Sequence, residues 1–203
     1  MIDYERLFAR YIKEQELDAK LSFSMPAGYE TAYGTFDPES KTVFINAGLL
    51  RDAADSEKAF YLFHELRHAS QHLRPELFGP AVRRSLQYVI MYDGRCFKLI
   101  DGGYRECRLE GGEERFRELY LGQPHEADAN AFAYEQAKKL CGDSEDLRRL
   151  YAFWTPARPV PDEVYDRVYA EIDEKIQASD PGFDDVQKTE GGRKNAVRDA
   201  DSH

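Results

Sequence analysis

The chain has 203 residues, a formal net charge of −10 and a pI ≈ 5.1, which argues against a nucleic-acid partner, since such a partner calls for a basic face. This length suits one sizeable core, expected over residues 1–178. There is no apolar leader behind basic residues and no long apolar run, and the three cysteines (Cys96, Cys107 and Cys141) form no CxxC pair. A cytoplasmic protein with reduced thiols and no membrane insertion is the expectation.

Residues 2–17 predict an amphipathic helix, with Ile2, Leu7, Phe8, Tyr11 and Ile12 on one side. Leu21-Ser22-Phe23 is a short candidate strand, followed by a turn at Pro26 and Gly28. Tyr29–Phe36 and Lys41–Ile45 read as two strands joined by the turn-rich Asp37-Pro38-Glu39-Ser40. A loop over 51–56 leads into the next helix, with Ser56 as the candidate N-cap.

That helix carries His64-Glu65-Leu66-Arg67-His68, the pattern His-Glu-x-x-His. Positions four apart share a helix face, so both imidazoles can point at one ion. Two imidazoles from one rigid turn suit zinc and leave room for a third ligand and a water. Glu65 stands beside the first ligand, where it can take a proton from that water. Apolar Ala59, Phe60, Leu62, Phe63 and Leu66 make this a buried helix, uninterrupted by Pro or Gly from Ser56 to Leu73. His72 lies two turns beyond His64 and about 80° round the helix at ~100° per residue. It could swing toward the metal, line the cleft or satisfy a carbonyl; a place outside the ligand set is favoured, because three protein ligands and a water complete a catalytic zinc site.

Pro75 and Pro80 end this region, and 83–86 has helical character. Tyr88–Tyr92 and Arg95–Ile100 flank Asp93-Gly94, a hairpin signal that tips an otherwise helix-compatible stretch toward strands. Tyr104–Leu109 is a strand or loop between glycine pairs, and Glu113–Leu121 a short helix.

Pro124-His125-Glu126-Ala127-Asp128-Ala129-Asn130 opens a further helix expected to run to about Leu140 and to stop at Gly142. Glu126 on its first turn is the candidate third metal ligand. Asn130, one turn on, can hydrogen-bond a ligand imidazole and fix its tautomer. His125 could donate to a developing oxyanion, as could Tyr33, Tyr120 or Tyr134. Arg67 reads as a salt-bridging or rim residue. Asp146–Phe153 and Asp162–Ile176 predict two more helices across a proline-rich link, and the polar composition of 179–203 predicts a disordered tail.

His-Glu-x-x-His on one helix and Glu126-x-x-Ala129-Asn130-x-Phe132-Ala133 on a later one resemble the gluzincin-type zincins, and the ImmA/IrrE-like metallopeptidases in particular, over roughly residues 30–140. His72 and the strand end Phe44-Ile45-Asn46 also match features of that family. The resemblance implies an α+β, zincin-like fold: a small, mostly antiparallel sheet packed on the active-site helix and the Glu-bearing helix, with additional helices. It implies zinc held by His64, His68 and Glu126, with Glu65 as general base. Arg67, where the family has a small residue, and Tyr134-Glu135-Gln136-Ala137, in place of an apolar stretch, depart from its pattern.

The function these readings lead to is zinc-dependent hydrolysis of a peptide bond in a protein or peptide substrate. Thr42, Val43, Phe44, Ile45 and Asn46 are the candidate strand for receiving that substrate by strand addition. The alternative is a zincin-like metal-binding regulator that acts through a protein partner without cleaving it.

Overall fold

Asp3 opens the first helix, α1 (Tyr4–Gln15), by accepting a hydrogen bond from the Arg6 amide, and Glu16 closes it in the left-handed conformation. Leu7 and Tyr11 are its buried residues. The computed structural model, to which these elements belong, describes residues 2–179; the expected tail lies outside them apart from Ser179. Among the described residues the fold is α+β, with seven helices and two three-stranded sheets.

The first sheet comprises β1 (Lys20–Ser22), β2 (Gly34–Asp37) and β3 (Thr42–Ile45) in the order β1-β3-β2. β2 and β3 form the expected hairpin, its turn held by Asp37 Oδ1 and Oδ2 accepting from the Glu39 and Ser40 amides at 3.0 and 3.3 Å. β1 adds in parallel on the other side of β3, so the sheet is mixed. The strand expected over 29–36 is shorter at its start. Tyr29 and Ala32 sit in successive turns, with amides donating to Pro26 O and Tyr29 O.

Helix α2 (Asp55–Leu73) packs on this sheet. Phe60, Leu62, Phe63, Leu66 and Ala69 are all at most 2% exposed, so the helix is apolar nearly all round, as a core helix must be. It begins one residue before the expected cap. Ala54 is the N-cap and offers no side-chain bond, Ser56 lies within the first turn, and Asp55 accepts the Ile2 amide instead. After a single 3-10 turn at Pro75–Leu77 comes α3 (Pro80–Ser85).

The second sheet is an antiparallel meander of β4 (Tyr88–Ile90), β5 (Arg95–Ile100) and β6 (Gly103–Arg108). The β4–β5 link is a wider turn than a two-residue hairpin, closed by Met91 N donating to Arg95 O and Gly94 N to Met91 O. The tight two-residue turn is instead Asp101-Gly102, both at positive φ. Cys96 and Cys107 are register partners across β5 and β6, and all three cysteines are free thiols.

Helix α4 (Glu113–Leu121) leads to α5 (Pro124–Cys141), which Gly142 ends at φ 87°. The small residues Ala129, Ala133 and Ala137 are fully buried and let α5 lie close along α2. Helix α6 (Glu145–Phe153) packs beside α5, and α7 (Asp162–Ser179) lays Tyr165, Val168, Tyr169, Ile172 and Ile176 on the second sheet. No helix among the described residues is long and apolar enough to cross a membrane.

Candidate metal centre

The α2–α5 contact brings the three candidate ligands together. One donor atom each from His64, His68 and Glu126 lies within 4.8 Å of the others. His64 Nε2 is 3.5 Å from Glu126 Oε2, His68 Nε2 is 3.6 Å from Glu126 Oε1, and the two Nε2 atoms are 2.9 Å apart. Ligands ~2.0–2.2 Å from a tetrahedral ion stand roughly 3.3–3.5 Å from one another. The His64–carboxylate separation meets that requirement and the His68–carboxylate one, to the other oxygen, is a tenth of an ångström longer; the imidazole pair would open by a few tenths of an ångström.

The surrounding hydrogen bonds fix which ring nitrogens face the site. Gln71, fully buried, donates through Nε2 to His125 O at 2.8 Å and to Asp128 Oδ2 at 2.9 Å. Both are acceptors only, so the Gln71 oxygen must face His68, whose Nδ1–H donates to it at 2.8 Å. A neutral His68 therefore presents the Nε2 lone pair to the ion. Asp128 is held in turn by Arg67, through Nε at 2.7 Å and Nη2 at 2.9 Å. The guanidinium lies between the Phe78 and Phe132 rings, 4.5 and 4.7 Å from their centroids.

Asn130 serves the other imidazole. Its Nδ2 donates to Trp154 O at 2.7 Å, which turns Oδ1 toward His64. Asn130 Oδ1 and His64 Nδ1 are both buried without a fully formed hydrogen bond, and Asn130 acts on the ring as an acceptor that favours its charged form. They are complementary halves of one bond, and closing it would hold His64 with Nε2 toward the ion.

Electrostatics divides the three ligands. Burial, reinforced by the His68 charge, pulls His64 down to about 3, so it is a neutral donor. Burial opposes charge on His68 as well, but the Glu126 carboxylate overrides it and lifts His68 to about 9. Glu126 stays well below the usual carboxylate range despite its burial, held there by His68 and His125.

His125 faces the carboxylate from the far side. Its Nε2 is 3.4 Å from Glu126 Oε1, and its Nδ1 is 3.0 Å from Ser85 Oγ, which also accepts the His125 amide at 3.1 Å. That contact bears on the ligand carboxylate, and His125 is not among the residues that line the cleft. His72 is not in the ligand cluster and packs near Phe36 of β2 at 5.8 Å.

Glu65 is buried and lines the cleft beside His64 and Glu126. Gly34 of β2 is packed against it. A Cβ at position 34 would stand 2.8 Å from Glu65 Cγ and 3.1 Å from the backbone oxygen of Phe44. The cleft is also lined by Tyr33 and Tyr120. Tyr134 stacks on Tyr151 instead, at 4.7 Å.

The substrate-strand expectation needs correction. β3 is the middle strand, paired with β1 on one side and β2 on the other, so Thr42–Ile45 has no free edge. Val43 and Ile45 are fully buried. Asn46 ties down the loop before β2, its Nδ2 donating to Glu30 O and Ala32 O at 3.0 Å. Among the described residues, β2 has a strand neighbour on one side only, and it is the strand that reaches the cleft, through Gly34.

Gln71, Asp128, Ser85 and Gly34 are site residues that sequence reasoning missed. Gln71, three residues past His68 on the same helix, could have been found from helical spacing; Asp128, Ser85 and Gly34 could not, because their place at the site depends on how the elements pack. Comparison with protein-family models, with curated proteins and with solved structures finds no match.

Proposed function

We propose that the protein is a zinc-dependent peptide hydrolase of zincin-like fold, with His64, His68 and Glu126 as the zinc ligands. The observation that carries this reading is the meeting, on two helices far apart in sequence, of two imidazoles and a carboxylate whose free donor atoms converge beside a buried glutamate. Imidazole and carboxylate donors together suit zinc, and three protein ligands leave a position open for chemistry.

Zinc bound there supplies Lewis acidity, polarising a carbonyl and lowering the pKa of water to ~7. Glu65 would take the proton of the attacking water and return it to the leaving amine. Gly34 allows Glu65 to lie against the sheet edge, where an extended peptide could add alongside β2 and present its backbone to that carboxylate. Gln71, Asn130 and His125 hold the ligands; none is asked to transfer a proton.

The reading is tested by comparing zinc-loaded wild type with Glu65→Gln on a peptide library. Cleavage by the wild type, with zinc retained and cleavage lost in the variant, supports it. Equal cleavage by both removes Glu65 from its role, and no cleavage by the zinc-loaded wild type removes the hydrolase reading.

A further inference from the structure

β6 is the outer strand of the second sheet: β5 covers one side, and among the described residues no strand pairs with the other. Met91 N donates to Arg95 O and Leu99 N to Gln87 O, so the odd-numbered residues of β5 turn their backbone groups toward β4 and the even-numbered ones toward β6. Cys96 and Cys107 are therefore a hydrogen-bonded pair, in step with the bond from Leu109 N to Gly94 O two positions on. By the same alternation Tyr104, Glu106 and Arg108 turn their N–H and C=O groups to the open side. Their side chains share the sheet face opposite Cys107, and all three are exposed. The outer side of β4 differs, since Gln123 donates through Nε2 to Tyr88 O at 3.3 Å.

An edge of this kind is a template for another strand, and charged side chains commonly blunt it. Here the order of the charges also selects a partner. Two copies pairing antiparallel about a two-fold axis present one strand to itself, so the position of the axis fixes every pair. An axis between residues would set an outward-turned residue against an inward-turned one and lose the ladder. An axis through Arg105, Glu106 or Arg108 sets that residue against its own copy, like charge on like. An axis through Tyr104 runs at once into the Asp101-Gly102 turn. An axis through Cys107 sets Glu106 of each copy against Arg108 of the other. Both of these residues turn their backbone outward, so each such pair can exchange two main-chain hydrogen bonds. Cys107, whose backbone faces β5, then falls where a pair without hydrogen bonds belongs. Charge order and hydrogen-bond phase select the same register. Arg108 gives one donor to Asp93 O at 3.0 Å and keeps its remaining donors for a carboxylate.

We propose that β6 is a homodimer interface, in which the β6 strands of two copies pair antiparallel about Cys107 and join their second sheets into one. The partner it fits is a second copy of this chain, because the edge must be met by an acidic and a basic residue in reversed order, and this strand supplies them itself. The inference is independent of the hydrolase reading and leaves the edge of β2 open.

Sedimentation equilibrium of the full chain at about 0.15 M salt should show a monomer–dimer equilibrium in the micromolar range. Glu106→Lys sets like charges against each other at both pairs, as does Arg108→Glu, and each should weaken the dimer on the order of tenfold or more. Mixed in equal amounts, the two variants bring opposite charges together at both pairs again. A heterodimer should form about as tightly as the wild-type dimer, a recovery that misfolded variants could not give. In the wild type, amide exchange at Tyr104, Glu106 and Arg108 should slow as protein concentration rises. A wild type that stays monomeric up to about 1 mM, a dimer that neither substitution weakens, or variants that do not associate when mixed overturns the inference.

Discussion

Arg67 and Asp128 meet across the α2–α5 contact as a two-pronged ion pair, at 2.7 and 2.9 Å, and Asp128 also accepts a hydrogen bond from Gln71. The chain Arg67–Asp128–Gln71–His68 therefore runs from a guanidinium sandwiched between Phe78 and Phe132 to the second imidazole of the metal cluster. It joins the two ligand-bearing helices at the level of their ligands.

Breaking that chain should cost both stability and metal. Both side chains of the pair are about one-quarter exposed, at 24% and 27%. Asp128→Ala leaves a half-buried guanidinium and the Gln71 amide short of a partner, a loss of about 2 kcal/mol by denaturant unfolding. With Gln71 unanchored, zinc affinity should fall roughly 10–100-fold. Unchanged zinc affinity in a destabilised variant would make the chain a fold element with no part in positioning His68.

Gly34 should be intolerant of any side chain. Gly34→Ala would drive a methyl against Glu65 Cγ and a backbone oxygen that cannot retreat, so the glutamate must move. Peptide hydrolysis should drop on the order of 10²-fold, as expected for a catalytic group displaced by about 1 Å, with zinc content unchanged. Retained activity in a zinc-loaded Gly34→Ala would detach Glu65 from the reaction.

Much of this centre could be read before any fold was known, because helical spacing alone puts His64 and His68 on one face and opens α5 with Pro124 just ahead of Glu126. Arg67 could be identified as a salt-bridging residue, but its partner on α5 could not, since nothing in the spacing of either helix says how they pack. The sheet was less legible for the same reason. The hairpin β2–β3 is local and visible, but β1 pairs with the far side of β3 from about twenty residues upstream, which buries the strand expected to receive substrate and leaves β2 at the edge. Ser56 looked like a cap because its residue type suits one; the helix instead starts at Asp55 behind Ala54, which caps it with no side-chain bond. The Asp93-Gly94 signal marked a real reversal but gave the wrong turn length, and the tight turn fell at Asp101-Gly102, where aspartate adopts positive φ.

The protonation of the cluster follows from its charges. His68, lifted to about 9 by Glu126, carries a proton at neutral pH in the absence of metal, while His64, held at about 3, does not. The 2.9 Å contact is then a bond from the His68 Nε2–H to the His64 Nε2 lone pair. Because the His68 pKa is raised, its proton stays until pH rises through about 9, and a metal must displace it below that pH. Nitrogen-15 NMR of metal-stripped protein at pH 7.5 should show both His68 ring nitrogens protonated and His64 neutral, with His68 becoming neutral on zinc addition. A neutral His68 at pH 7.5 before zinc is added would refute this assignment.

One ion gripped by residues from both helices is the central requirement, and zinc content with X-ray absorption on the purified, zinc-loaded chain tests it most directly. One zinc per chain with two imidazoles and oxygen ligands around it is expected, with loss of tight binding in both His64→Ala and Glu126→Ala. Full zinc affinity in Glu126→Ala, or an absorption spectrum without imidazole scattering, would contradict it.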